Sequence, residues 1–172
     1  MGALDGIEKE EIRDLLGKGW LTHDGMWFFQ TSRRCGMETA NSLNKAAIKA
    51  LSPIEVGRAR KVLGFEGDIL TCAQLMDFLL SALELTLPRS VFDKLRFTAP
   101  SDGVLHWTWD SGSCFAYNGM TQMGVIDQYS CGVMYRIECW LEALGIPYTM
   151  EPKIDGCLMH ESGSCEGDFR VF

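Results

Sequence analysis

The fold class is decided by residues 95–109, which read LRFTAPSDGVLHWTW. Leu95 and Phe97 alternate with polar residues before a Pro-Ser-Asp-Gly turn, and apolar residues again alternate with polar ones after it. This pattern predicts a β-hairpin with one buried face. Because the chain before Pro88 has helical periodicity instead, we expect two halves of different construction.

The first half of the chain carries the start and stop signals of five helices. Four starts are marked by capping residues: Asp5 with Glu8, Thr22, Ser52 before Pro53, and Thr71. The third helix is indicated by apolar periodicity around Ile48 alone. The first helix is expected to bury a face formed by Ile12, Leu15, Leu16 and Trp20. The fifth, which ends at Pro88, is apolar nearly all round and is predicted to be the buried central helix.

The second half predicts two more helices and the rest of the sheet. The helices are expected at residues 113–124 and 130–145, and extended segments at 148–154, 157–160 and 168–172. The fold class is therefore α+β, with a helical N-terminal half packed on a small antiparallel sheet formed by the C-terminal half. Since we find no repeat, linker or low-complexity segment, residues 1–172 are interpreted as a single domain.

The composition and the charge of the chain indicate where the protein is located and which classes of partner are excluded. The net charge of −7 comes without a basic run, so we expect no nucleic-acid partner. The first residues lack the pattern of a signal peptide and no window approaches the roughly 18 apolar residues that cross a bilayer, so we expect a cytoplasmic protein without a membrane partner. The seven cysteines are an odd number and are interpreted as reduced thiols.

Cysteines are concentrated in the last third of the chain. Ser113-Cys114 and Ser130-Cys131 each resemble an N-cap followed by the first helical residue, where free N–H groups and the helix dipole favour a thiolate. Thiolate and imidazole ligands suit zinc or iron. The candidate metal ligands are Cys114, Cys131, Cys157, His160 and Cys165, the last three expected on strands. The candidate catalytic residues are Cys114, Cys131 and His160, the histidine being next to a carboxylate that could orient it.

These residues also have simpler interpretations. A free cysteine often packs as a small apolar residue, so the cluster is equally compatible with a core. Methionines and aromatic residues of the same half form either that core or the wall of a small-molecule pocket. They are Met120, Met123, Met134, Met150, Met159, Trp107, Trp109, Tyr117 and Trp140. The sequence lacks a Walker loop, a dinucleotide-binding glycine motif, a zinc-protease motif and a serine elbow.

Several runs resemble an uncharacterised family of small cytosolic bacterial proteins, for which no activity follows from the resemblance. The runs are Leu105-His106-Trp107, Cys114-Phe115-Ala116-Tyr117, Gly124-Val125-Ile126-Asp127, Tyr129-Ser130-Cys131-Gly132, Gly156-Cys157-Leu158-Met159-His160 and Asp168-Phe169-Arg170. The cysteine pattern is also distantly similar to L-2-amino-thiazoline-4-carboxylic acid hydrolase-like proteins and to 4-vinyl reductase-type small-molecule-binding domains. That resemblance implies Cys114, Cys131 and Cys165 as the corresponding residues.

Two functions of different classes follow as hypotheses. In the first, the protein binds a small molecule or a metal ion through its C-terminal Cys/His cluster. In the second, it hydrolyses a small heterocyclic or amide-like substrate: a thiolate or a metal-bound water attacks, and His160 moves a proton. A third alternative is a homodimer with inert buried cysteines. The residues themselves do not decide whether the protein is an enzyme.

Overall fold

A computed structural model describes residue 2 and residues 5–171, and the predicted α+β class is confirmed. In this part of the chain the α-helices are α1 (Lys9–Cys35), α2 (Met37–Leu63), α3 (Cys72–Thr86), α4 (Arg89–Phe92), α5 (Phe115–Gln122), α6 (Gly132–Ala143) and α7 (Leu158–Ser162), and a short 3-10 helix spans Ile126–Gln128. The strands are β1 (Leu95–Ser101), β2 (Val104–Trp109), β3 (Tyr148–Glu151) and β4 (Glu166–Val171). None of the described helices is long and apolar enough to cross a membrane.

The four strands form one antiparallel sheet in the order β1-β2-β4-β3. The predicted hairpin is its first pair, and the turn between β1 and β2 contains Gly103 with φ at 73°. Leu105 and Trp107 are completely buried on one face of β2, so the expected one-sided burial is confirmed. The last predicted strand is β4, and Phe172 of that prediction lies outside the described residues.

Helix α3 lies at the centre of the molecule, as predicted. The Thr71 hydroxyl begins it by accepting a hydrogen bond from the N–H of Gln74 at 3.2 Å. Apolar side chains all along the helix are completely buried because α3 packs against both the sheet and the long helices: Leu75, Phe78, Leu79 and Ala82. After α3, Pro88 packs so closely on α1 that a Cβ on Gly17 would lie 2.9 Å from its Cδ. This contact requires glycine at position 17.

Two predicted helix boundaries are wrong, because α1 and α2 are each continuous over 27 residues. Thr22 is interior to α1, which is capped by Glu8 rather than by Asp5. Pro53 is interior to α2, where the Ser52 hydroxyl donates to the carbonyl of Ile48 at 2.8 Å instead of capping a new helix. An interior proline costs about 3 kcal/mol. Packing of α2 against both α1 and α6 outweighs that local preference.

The apolar face of α1 that was expected to be buried is exposed to solvent instead. Leu15 and Leu16 are 73% and 66% exposed, and Trp20 is 48% exposed. Helix α1 contacts its neighbours through a different side, on which Gly17 and Phe28 are buried. The homodimer alternative remains a prediction, to which this exposed apolar surface is relevant.

The segment predicted as a strand at residues 157–160 is the start of α7. The N–H groups of His160 and Glu161 both donate to the carbonyl of Cys157 at 2.9 Å, which closes a helical turn. The helix ends at Gly163, whose φ of 81° is in the left-handed region that favours glycine. The prediction that Cys157 and His160 lie on a strand is therefore wrong.

Candidate functional site

Four of the candidate cysteines meet at one small, buried cavity of about 10 Å³. This cysteine cavity is lined by Cys114, Cys131, Cys157 and Cys165. The first three are the N-cap residues of α5, α6 and α7, so three helix starts point at the same space. The predicted capping roles of Ser113 and Ser130 are therefore wrong by one residue, because each cysteine itself occupies the N-cap position.

The environment of Cys114, Cys131 and Cys165 favours the protonated thiol. Burial raises the pKa of Cys114 to about 12, and nearby backbone N–H groups of α5 oppose this only in part. Burial also raises the pKa of Cys165 to about 12 and that of Cys131 above its ordinary value. The expectation that a helix start would favour a thiolate is not met, since desolvation of the sulfur is the larger effect.

His160 lies outside the cysteine cavity. Its Nε2 is 2.8 Å from Oδ1 of Asp127, and its side chain is 40% exposed. The reason is the helical turn of α7, which buries Met159 instead and directs the thioether to the cavity. The Met159 sulfur accepts a hydrogen bond from the N–H of Gly112 at 3.2 Å. The structure thus brings the four cysteines together without the histidine that was predicted to join them.

The candidate metal ligands are not arranged as a metal-binding site. Within residue 2 and residues 5–171, no group of three or more His, Cys, Asp or Glu side chains is arranged so that it could hold a metal ion. Cys114, Cys131, Cys157 and Cys165 share a cavity, but the sulfurs would have to move together to share one ion. Zinc or iron at these residues therefore stays a prediction.

A much larger cavity of about 340 Å³ lies between α1, α2, α3, α5 and α6. We call it the aromatic cavity because six rings line it: those of Trp20, Phe28, Trp109, Phe115, Tyr129 and Trp140. Apolar, partly enclosed spaces of roughly 300–1,000 Å³ with a few polar groups are typical of small-molecule sites. The cavity has the size and the wall that such sites require.

One polar network reaches into the aromatic cavity from α2 and α6. Nη1 of Arg136 donates to the Glu55 carboxylate, and Nε1 of Trp140 donates to Oε2 of the same carboxylate at 2.9 Å. Both charged side chains are largely buried, with 22% and 18% of their surface exposed. This ion pair fixes the relative position of two helices and places charge on an otherwise apolar wall.

The two cavities share a wall. Trp109, Ala116, Tyr129 and Val133 line both of them. The indole N–H of Trp109 is buried and has no hydrogen-bond partner within the described part of the chain. Such a group is rare in a folded protein, and the indole N–H of Trp107, which lines neither cavity, is a second one in the described part of the chain.

Sequence patterns identified part of the aromatic cavity and missed its polar part. Four residues of the predicted methionine and aromatic set line it: Trp109, Met120, Met123 and Trp140. Glu55 and Arg136 are 81 positions apart in the chain, and no short motif links them. The only local signal was Glu55, the acidic residue after Ser52-Pro53, and it was interpreted as part of a helix N-cap.

Comparison with known proteins gives one family. No curated protein and no solved structure matches the chain. The model of DUF6125, a family of unknown function, matches residues 6–97, which is more than half of the 172 residues. The matched span contains α1, α2 and α3, which form one side of the aromatic cavity, and ends before the four cysteines. The chain therefore belongs to the DUF6125 family.

Proposed function

We propose that this protein binds a small, mainly apolar molecule in the aromatic cavity. The observation that carries the proposal is a space of about 340 Å³ whose wall contains six aromatic rings. Close-packed interiors leave few spaces of this size, and a concave, mainly apolar space with a few polar groups is the usual form of a small-molecule site. A planar ring system is the class of molecule that such a wall favours, since aromatic rings gain most by stacking or edge contacts.

Access to the cavity supports the same proposal. Trp20 and Met26 line it and are each 48% exposed, so its rim on α1 is open to solvent. Its inner end is formed by buried residues of α6 such as Ile137, which is 2% exposed. A ligand can therefore enter beside α1 and be enclosed farther in.

The test uses N-phenyl-1-naphthylamine, a neutral two-ring fluorophore whose emission rises in apolar surroundings. We expect saturable binding at one site per chain, with half-saturation in the micromolar range. The variant Gly119→Leu should weaken this at least about tenfold, because Gly119 lines the cavity and a Cβ there meets no atom within 4 Å. Leucine also has a higher helix propensity than glycine, so the variant should fold.

Gly57→Leu is the matched control. Gly57 is likewise a helical glycine with nothing within 4 Å of its Cβ position, but it is exposed on α2 and does not line the cavity. This variant should bind the fluorophore as the parent protein does. Absence of saturable binding to the parent, or equal binding by both variants, would overturn the proposal.

A second candidate function is binding of one soft cation such as zinc or iron in the cysteine cavity. It is supported by the four thiols that line one small space at three helix starts. Thiolates are the ligands that such ions prefer, and binding would release the protons that the buried thiols retain. The sulfurs must draw together on binding, so the aromatic cavity carries the first proposal.

Cobalt(II) tests this second candidate, because its visible absorption is intense in tetrahedral thiolate coordination. We expect the bands to appear in stoichiometric titration of the reduced protein and to be lost in Cys131→Ser. Cys35→Ser, which changes an exposed cysteine of α1, is the control and should leave them unchanged. A parent protein without these bands excludes the site. The thiazoline-type hydrolase remains a prediction, since His160 is paired with Asp127 away from the thiols.

A further inference from the structure

The hydroxyl of Tyr129, on the inner wall of the aromatic cavity, is a free hydrogen-bond donor. Tyr129 is 6% exposed, and its oxygen accepts a hydrogen bond from the N–H of Gly132 at 2.9 Å. In the described part of the chain its own O–H has no acceptor. Burial raises the pKa of Tyr129, so the hydroxyl keeps its hydrogen and remains a donor.

An amide from α2 lies beside this phenol. A Cβ on Gly132 would be 2.7 Å from Nδ2 of Asn44 and 3.5 Å from the Tyr129 oxygen, so both groups flank the same glycine. All three residues line the aromatic cavity. The Asn44 amide has no hydrogen-bond partner among the residues that the structure describes. Glycine at position 132 is therefore required for Asn44 to pack this closely against the start of α6, beside the Tyr129 hydroxyl.

A third donor stands one helical turn farther along α6. Arg136 uses Nη1 for Glu55, and its remaining N–H groups have no acceptor within residue 2 and residues 5–171. It lies four residues after Gly132, so the two positions share one face of the helix. The Glu55 carboxylate already accepts from Arg136 and Trp140. The polar groups at this end of the cavity that remain free are therefore mainly donors.

The charge of the wall limits which acceptor a ligand can bring. The charged residues that line the cavity are Asp24, Glu55 and Arg136, which sum to −1. An anionic ligand would be buried beside two carboxylates and one cation that is already paired, and desolvation of its charge would add to that penalty. A cationic ligand would leave the buried donors without acceptors.

We infer that the ligand of the aromatic cavity is a neutral ring compound with a hydrogen-bond acceptor, such as a ketone, amide or ring nitrogen, held by Tyr129, Asn44 and Arg136. This inference rests on the proposed function and specifies its ligand class. The rings of the ligand would pack against the apolar wall, and its acceptor would lie next to the Tyr129 hydroxyl and the Asn44 amide.

Three naphthalene derivatives of similar shape separate the alternatives in displacement of N-phenyl-1-naphthylamine. 2-Acetylnaphthalene carries a neutral acceptor, 2-isopropenylnaphthalene replaces that oxygen by a CH₂ group, and 2-naphthoate carries a charge. We expect the ketone to bind about fivefold to tenfold more tightly than the alkene, which is the effect of one or two net hydrogen bonds. The naphthoate should bind most weakly.

Tyr129→Phe should reduce the preference for the ketone to less than about twofold and leave binding of the alkene nearly unchanged, because the ring is kept and the donor is lost. Asn44→Ala provides a second variant should the loss of the Gly132 contact unfold the first. Tyr117→Phe is the control, since Tyr117 lines only the cysteine cavity.

The possible outcomes are distinct. Equal affinity for ketone and alkene would overturn the acceptor inference while the proposed small-molecule site stands. Tightest binding of the naphthoate would overturn the neutral charge of the ligand. If neither the fluorophore nor any of the three compounds binds, the proposed function fails and this inference fails with it.

Discussion

The aromatic cavity and the cysteine cavity share a wall but differ in size and in the hydrogen-bonding capacity left on their surfaces. One encloses about 340 Å³ and the other about 10 Å³, which is close to the space of a single water-sized sphere. Asn44 and Arg136, which carry unused donors, line only the larger cavity, whereas the smaller one is lined by four cysteines and mainly apolar side chains. Clustered cysteines are compatible with simple packing, whereas unused polar groups around an open space require a further explanation.

The largest effect is expected from Trp109→Ala, which removes the largest side chain that separates the two cavities. Trp109 is 3% exposed and packs edge-on against Phe115 with ring centroids 6.2 Å apart. Loss of a buried tryptophan side chain costs about 3–5 kcal/mol of the free energy of unfolding. The variant should also join the two cavities and expose the thiols, which urea denaturation and the rate of thiol labelling in the native state measure.

Trp27→Ala is the control for that variant, because Trp27 is 70% exposed and lines neither cavity. It should change the free energy of unfolding by less than about 0.5–1 kcal/mol. A Trp109→Ala variant as stable as this control, with unchanged labelling, would mean that no packed wall separates the two cavities.

A smaller effect is expected from the pH dependence of stability. Burial raises the pKa of Cys114 from 9.0 to about 12, so between these values the folded state retains a proton that the unfolded chain releases. The stabilisation is complete below pH 9 and is lost as the pH rises toward 12. The slope is at most about 1.4 kcal/mol per pH unit for one thiol.

Cys114→Ala isolates that contribution from the other groups that titrate in the same range. Urea denaturation at several pH values from 8 to 10.5 should give a shallower decline of stability for Cys114→Ala than for the parent. Cys35→Ala, which removes an exposed thiol that lines neither cavity, is the control for the loss of a thiol as such. Identical slopes for all three proteins would show that Cys114 is solvated, and the cysteine cavity would then be as open as the aromatic one.

The parts of the fold that were predicted correctly depend on patterns contained in one stretch of chain. The alternation in residues 95–109 determines the hairpin, and Thr71 with Gln74 begins α3 by a local hydrogen bond. The predicted breaks at Thr22 and Ser52 failed because capping residues are also tolerated inside helices whose packing is extensive. Local signals mark where a helix can start, whereas tertiary contacts decide whether it does.

The candidate site divides in the same way. The four cysteines that meet at the cysteine cavity were all named from their positions in the sequence, because they are close in the chain and precede neighbouring elements. The donor group of the aromatic cavity joins Asn44 of α2 to Tyr129 and Arg136 near α6. No sequence motif links these residues, because only the packing of α2 on α6 brings them together.

The smallest expected effect concerns His160, the residue that would have linked the thiols to acid–base chemistry. Its pair with Asp127 is exposed on both sides, with 40% and 81% of the side chains accessible, so His160→Ala should change the free energy of unfolding by less than about 0.5 kcal/mol. Because the imidazole lies outside the cysteine cavity, the labelling rates of Cys114 and Cys131 in the native protein should stay within about twofold of the parent values. Asp127→Asn, which keeps the shape of the partner and removes its charge, should behave alike. A tenfold change in the labelling rate of these thiols in His160→Ala would contradict this prediction. It would mean that His160 acts on the thiols, and that the region is a Cys/His cluster rather than four packed cysteines.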